Sequence, residues 1–267
     1  MSLARILICA GSDSGGGAGI QADIKTVTAL GGYAMTAITA LTAQDTMGVH
    51  GVLPVPPEFV RLQMEVVLSD IGADAVKTGM LGDTATIVAV AEGLEEMAPE
   101  LPLVVDPVMV AKGGAALLAD EAIDALKALL LPRATLLTPN LPEAEVLLGR
   151  MIGDVEAMQA AAEDLRGLGA GAVLVKGGHL DGDTLYDVLA GPDGVVIFEG
   201  KRIRTRNTHG TGCTLASAIA TRLGQGMLLA DAVASARTYL VQAIRTAPRL
   251  GCGHGPLNHG HTLIRRS

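Results

Sequence analysis

Asn207-Thr208-His209-Gly210-Thr211-Gly212-Cys213-Thr214, with the small apolar run at 215–223 behind it, decides how this chain is read. A strand-rich, charged segment ends at Arg206, a glycine turn follows, and a helix is expected with Cys213 as its first residue. Gly210 and Gly212 let backbone N–H groups converge in the turn, and the helix start adds free donors and the positive end of the macrodipole. That combination makes an anion site suited to phosphate. A helix N-terminus lowers a thiol pKa, so Cys213 is expected to ionise readily. On its own the segment also reads as a plain loop-to-helix turn with a buried cysteine, because Gly-x-Gly turns before helices are common.

Working outward, apolar runs of strand length alternate with helical stripes. Strands are expected at 6–10, 34–41, 49–55, 75–77, 103–105, 135–138 and 172–176. Helices are expected at 18–30, 57–71, 83–97, 120–131 and 156–168, the second opening on prolines and striped by Val60, Met64, Val67, Leu68 and Ile71. Beyond 177 the period changes. Short strands at 184–189, 195–199 and 203–205, joined by turns such as Gly-Pro-Asp-Gly, precede helices at about 213–225 and 229–246. Repeated strand–helix units predict an α/β fold with a mainly parallel central sheet, helices on both faces and an antiparallel edge. With no linker or repeat, residues 1–267 read as a single domain whose last 15 or so residues, from Gly251 through the three histidines to Arg265 and Arg266, form a flexible tail rather than a metal site.

Composition narrows the function. The chain has 267 residues and a net charge of −8, ample for a large core and poorly suited to nucleic acid. No apolar run is long enough to span a bilayer, and the start reads as a first strand rather than a secretory signal. Cys9, Cys213 and Cys252 form no paired framework, so reduced thiols and a cytoplasmic setting are expected; Cys9 reads as a buried strand residue.

In an open parallel sheet, ligands bind outside the carboxyl ends of the strands. Here those ends carry the run from Gly11 to Gly19, which leads to Asp23, then Gln44 and Asp45, Thr78-Gly79-Met80, Asp106-Pro107-Val108, Asn140 with Glu143, and Lys176-Gly177-Gly178. Any one of them is explained by turn chemistry or a helix cap. Together with the anion turn they suit phosphoryl transfer, which needs phosphate donors, carboxylates for a magnesium ion, a cation and a proton acceptor. The turn at 210–213 offers the donors, Asp106 and Glu143 the carboxylates, Lys176 the cation and Cys213 the acceptor. There is no G-x-x-x-x-G-K-[ST], so a P-loop is excluded. Gly17-x-Gly19-x-x-Ala22 loosely fits a dinucleotide fingerprint, but the glycine run is longer than that turn needs and Asp23 lies within the helix.

These segments resemble the ribokinase-like superfamily and, within it, the hydroxymethylpyrimidine/phosphomethylpyrimidine kinases of thiamine biosynthesis, over about 4–247. The resemblance is carried in order by Ala10-Gly11-Ser12-Asp13-Ser14 and the glycines and helix start after it, Thr39-Ala40-Leu41-Thr42-Ala43-Gln44, Lys77-Thr78-Gly79-Met80-Leu81, Val105-Asp106-Pro107-Val108-Met109, Thr138-Pro139-Asn140-Leu141-Pro142-Glu143-Ala144, Val175-Lys176-Gly177-Gly178-His179 and the turn at 207–214. It implies a ribokinase-like three-layer sandwich and an ATP- and Mg2+-dependent kinase. The kinase would phosphorylate 4-amino-5-hydroxymethyl-2-methylpyrimidine to its monophosphate and then to the diphosphate.

By the same resemblance, Gly11, Asp23, Gln44, Met80 and Val108 would surround the pyrimidine. Asp23 and Gln44, taken to stand on adjacent strand ends, would read its aminopyrimidine edge by paired hydrogen bonds. Lys176, Asn140, Thr208, Gly210 and Gly212 would meet the nucleotide, Asp106 and Glu143 with Asn140 would form the magnesium and phosphate set, and Gly210, Thr211, Gly212 and Cys213 would form the anion hole. The wider superfamily usually has Gly-Ala-Gly-Asp at that turn, with the aspartate as base, where this chain has Cys213. A glycine-rich flap at 110–115 would exclude water, and a homodimer is expected. A pyridoxal kinase shares the fold and the turns, and a non-catalytic pyrimidine-binding regulator is the reading from another class.

Overall fold

The structure, a computed structural model, describes residues 3–110, 114 and 117–263. Most of the expected flap, at 111–113 and 115, and the end of the chain with Arg265 and Arg266 lie outside them.

Strand β1 (Arg5–Ala10) lies one in from the sheet edge, between the edge strand β2 (Tyr33–Ile38) and β5 (Ala75–Thr78). The sheet continues through β6 (Leu103–Val105), β7 (Leu136–Leu137), β8 (Val173–Lys176), β9 (Thr184–Gly191) and β10 (Gly194–Lys201), giving the order β10-β9-β8-β7-β6-β5-β1-β2. From β2 to β8 every pairing is parallel, and β9 and β10 add the expected antiparallel edge.

Strand residues alternate between two cores because side chains on a strand point to opposite faces. Leu7, Cys9, Val76, Leu103, Val105, Val173 and Val175 feed one core. It is covered by α2 (Pro57–Asp70), α3 (Thr84–Met97), α4 (Asp120–Ala125), α5 (Leu141–Leu148) and α6 (Val155–Gly167). Ile6, Ile8, Ala10, Val104 and Leu174 feed the other, under α1 (Gly19–Ala29), α7 (Thr211–Gly224) and α8 (Leu229–Arg245). These are the three layers expected, and strands buried on both faces explain why the sequence shows continuous apolar runs. Truncating a fully buried leucine such as Leu7 or Leu103 would cost about 2–5 kcal/mol.

Four expectations need correction. The strand expected at 34–41 breaks at Thr39, whose N–H bonds Ala10 O and whose carbonyl accepts from Val55 N. The chain then leaves the sheet as β3 (Ala40–Gln44), which pairs antiparallel with β4 (Val49–Pro54) in a separate ribbon. The segment 203–205 is not a strand; its neighbour Arg202 instead donates to the carbonyls of Gly178, Leu180 and Gly182. Helix α7 starts at Thr211, so Cys213 is its third residue, behind Gly210 as the cap.

Finally, the stretch at 251–263 is a docked strap, not a flexible tail. His254 N bonds Thr46 O, His209 N bonds Gly255 O, the Tyr239 hydroxyl donates to His259 O at 2.6 Å, and His259 is buried against Thr214. Backbone and buried imidazole partners fix this segment, which composition alone reads as polar and glycine-rich.

Candidate active site

The carboxyl ends of β6 and β8 bring Asp106 and Lys176 together. The Lys176 ammonium lies 3.1 Å from Asp106 Oδ1, which also accepts from the Thr138 hydroxyl at 3.3 Å. Glu143, in the first turn of α5, closes a capping box: Asn140 N donates to its carboxylate and Asn140 Oδ1 accepts from Glu143 N. Burial drives the Glu143 carboxyl up to about 7; Lys176 opposes that shift and Asp106 adds to it. Burial pulls the Lys176 ammonium down, but Asp106 and Glu143 outweigh it and hold its pKa above the ordinary value. The result is a buried cation flanked by more negative charge than it neutralises.

Helix α7 aims its N-terminus at this cluster. Gly210 caps it at φ +81°, a left-handed conformation that favours glycine, and a side chain there would collide with the Gly17 carbonyl. A Cβ on Gly212 would stand 3.4 Å from Lys176 Nζ and 3.5 Å from Asp106 Oδ2, so its backbone borders both charges. The N–H groups of Gly212 and Cys213 find no acceptor among the described residues. Two free donors, the helix dipole and Lys176 therefore converge on one point, the arrangement expected of a phosphate cradle.

The opposite wall comes from the loop between β1 and α1. Gly11 packs on the Met80 side chain so closely that a Cβ would overlap it, and Met80 O accepts from the Thr39 hydroxyl at 2.6 Å. Ser14 bonds both backbone groups of Gln44 at 2.8 Å, and the Gln44 side-chain oxygen accepts from Thr42 at 3.3 Å. Val108, half-buried, follows Asp106, its N–H bonding the Asp106 carbonyl. The loop also reaches the anion turn, where His209 Nε2 lies 2.8 Å from Asp13 Oδ2.

Most of the expected residues thus converge: Gly11, Gln44, Met80 and Val108 on one side, and Asp106, Asn140, Glu143, Lys176, Gly210, Thr211, Gly212 and Cys213 on the other. Thr208 precedes the cradle, its carbonyl accepting from Thr211 N at 3.4 Å. Two expectations fail. Asp23 is not on a strand end beside Gln44; it lies in α1, fully buried, where its carboxylate accepts from Lys77 at 2.9 Å and Ser217 at 2.6 Å. It is sealed under the floor and holds a lysine rather than facing a ring. Nor is the Cys213 thiol depressed. Burial pushes it up to about 12, with Lys77 opposing that shift and Asp23 and Asp106 adding to it. Desolvation and two carboxylates raise it, where a helix N-terminus alone was expected to lower it.

Lys77, Asp13 and His209 are structural partners that sequence reasoning passed over. A lysine inside the apolar run of β5 signals a buried counter-charge. An aspartate opening a glycine run signals a carboxylate that gathers backbone N–H groups.

A parallel sheet with a phosphate cradle, a cation and paired carboxylates at its carboxyl edge defines a phosphotransferase. The chain matches the phosphomethylpyrimidine kinase model over residues 13–258 and belongs to that family, as a kinase of ribokinase-like fold. It is 51% identical over 258 residues to the hydroxymethylpyrimidine/phosphomethylpyrimidine kinase of Rhizobium meliloti, covering 96% of each chain. It is 56% identical over 254 residues to the thiamine biosynthesis bifunctional protein ThiED of Geobacter sulfurreducens, covering 95% of this chain but 52% of that protein. Its structure is similar to the ADP complex of Bacillus subtilis pyridoxal kinase, with a TM-score of 0.91 and 37% identity over 99% of this chain and 100% of that one. Among the described residues, no helix is long and apolar enough to cross a membrane.

Proposed function

We propose that this kinase transfers the γ-phosphoryl group of ATP to the hydroxymethyl group of 4-amino-5-hydroxymethyl-2-methylpyrimidine, and then a second one to the resulting monophosphate. The observation that carries the reading is the apposition of the Gly11–Met80–Gln44 wall to the Lys176–Asp106 cluster at the N-terminus of α7. Gln44 offers an amide to the pyrimidine edge, while Gly11, Met80 and Val108 bracket the ring. Lys176 and the Gly212 and Cys213 N–H groups receive the transferring phosphoryl group, and Asn140 and Thr208 border the nucleotide. In the second step the acceptor is itself an anion, which suits a site with a cation and free backbone donors.

Asp106 and Glu143 fit a magnesium ion. Glu143 is held near 7 partly by its like-charged neighbour, and a divalent cation relieves that repulsion. Two carboxylates plus substrate phosphates are the usual donor set for Mg2+. When bound, the ion supplies charge neutralisation to the phosphates. Cys213 stays protonated at neutral pH and lies beside the acceptor as a neutral thiol. A loose phosphoryl-transfer transition state leaves most of catalysis to positioning and charge, so a strong base at this position is dispensable.

The cytoplasm is the proposed compartment, since Cys9, Cys213 and Cys252 are free thiols. Exposed Leu41, Val52, Leu53 and Phe59 on the β3–β4 ribbon and α2 support a homodimer, which light scattering tests.

The structural likeness to a pyridoxal kinase favours a second reading, in which pyridoxal is the acceptor. ADP release with Mg-ATP, counted per acceptor for each compound, separates them. Two ADP per pyrimidine with little turnover of pyridoxal supports the two-step kinase. Turnover of pyridoxal alone moves the assignment, and ATP binding without turnover of either favours a regulator.

A further inference from the structure

Asp13 is buried at the head of the glycine loop, and its carboxylate is saturated. Oδ1 accepts from Gly15 N at 2.8 Å, and Oδ2 accepts from Gly17 N at 2.9 Å and Ala18 N at 2.8 Å. A fourth partner comes from 196 positions along the chain: His209 Nε2, in the anion turn, lies 2.8 Å from Oδ2. Burial pushes the Asp13 carboxyl upward, but the His209 hydrogen bond and the backbone donors outweigh it and hold it below the usual range. A carboxylate only accepts, so the imidazole must donate from Nε2.

The two loops touch beside this pair. A Cβ on Gly17 would overlap the His209 ring, and one on Gly210 would overlap the Gly17 carbonyl. The strap backs His209 from behind, through Gly255 O on its N–H at 3.2 Å and a bridge to Pro256. Residues on one side of this contact, Gly11 and the Met80 it packs on, belong to the acceptor wall. Those on the other, Gly212 and Cys213, belong to the phosphate cradle.

We propose that the Asp13–His209 pair is a positioning device for phosphoryl transfer, locking the acceptor loop to the anion turn so that hydroxyl and phosphoryl group meet in register. The proposal rests on the kinase reading above. Neither residue touches a reacting atom; each acts through the backbone it holds. A lock of this kind is needed because the two halves of the site lie on loops separated by most of the chain, and small misplacements of reacting groups are expensive.

The test is steady-state kinetics of both transfers in His209→Ala, His209→Gln, His209→Asn and Asp13→Asn, with kcat expressed per site that binds a non-hydrolysable ATP analogue. His209→Ala is expected to lower kcat by about tenfold or more while KM for ATP and for the pyrimidine changes less than about threefold. His209→Gln, whose amide N–H reaches Asp13, recovers most of the loss, and the shorter His209→Asn does not. The double variant of Asp13→Asn and His209→Ala loses no more than Asp13→Asn alone. A purely structural role would reduce the number of binding sites and leave kcat per site unchanged. That result, or multiplicative losses in the double variant, or a glutamine no better than asparagine, overturns the proposal. Should His209→Ala not fold, the glutamine–asparagine comparison decides. Wild-type protein that transfers nothing to the pyrimidine contradicts the kinase reading instead, before any variant is compared.

Discussion

Lys77 Nζ and Asp23 Oδ2 stand 2.9 Å apart with neither side chain exposed to solvent, directly beneath the catalytic floor. Burial drives the Lys77 ammonium towards neutrality, but the carboxylates of Asp23 and Asp106 outweigh it and hold it charged. Removing one partner of such a pair strands the other. Asp23→Ala should therefore destabilise the protein by about 3–5 kcal/mol in urea unfolding. Loss of pyrimidine affinity with unchanged stability would contradict this placement and restore Asp23 as a direct reader of the ring.

Cys213 follows from the same charges. Held near 12 by burial, its thiol should stay protonated across the working range. The pH profile of kcat should show no thiol ionisation between about pH 6 and 9, and iodoacetamide should alkylate Cys213 slowly at neutral pH. A basic limb that disappears in Cys213→Ser would contradict this.

His259 makes the protein acid-sensitive. Burial first, then the charges of Lys25, His261 and His209, lower its imidazole to about 4, and it sits 3.0 Å from the Thr214 hydroxyl in the first turn of α7. The unfolded chain binds this proton near 6.5 and the folded one only near 4, so its contribution is intact above 6.5 and falls as pH drops towards 4. The loss approaches about 3 kcal/mol. Unfolding free energies of His259→Gln should change less than those of the wild type across that interval. Parallel curves would contradict the buried neutral imidazole.

Much of this was legible in the sequence, and the reasons are physical. Strands buried on both faces write continuous apolar runs, so the sheet and its layers could be read, as could the polar residues where each strand stops. The anion turn declared itself through Gly210 and Gly212. What misled was environment. Asp23 has the chemistry of a pyrimidine reader, but the facing Lys77 and Ser217 come from elements distant in the chain. Cys213 was assigned the effect of a helix dipole, while the desolvation and carboxylates that dominate it are products of tertiary packing. The strap at 251–263 has a loop's composition, and only its partners, Thr46, His209, Thr214 and Tyr239, reveal it as fixed structure.

The most direct test of a single site for both transfers is a 31P NMR time course of the pyrimidine with excess Mg-ATP, in wild type and Lys176→Ala. The wild type should build the monophosphate and then convert it to the diphosphate. Loss of the Lys176 cation should slow both conversions together, by on the order of a hundredfold. A variant that still converts monophosphate to diphosphate at the wild-type rate would contradict the account, since the second transfer would then run without the cluster on which the site is built.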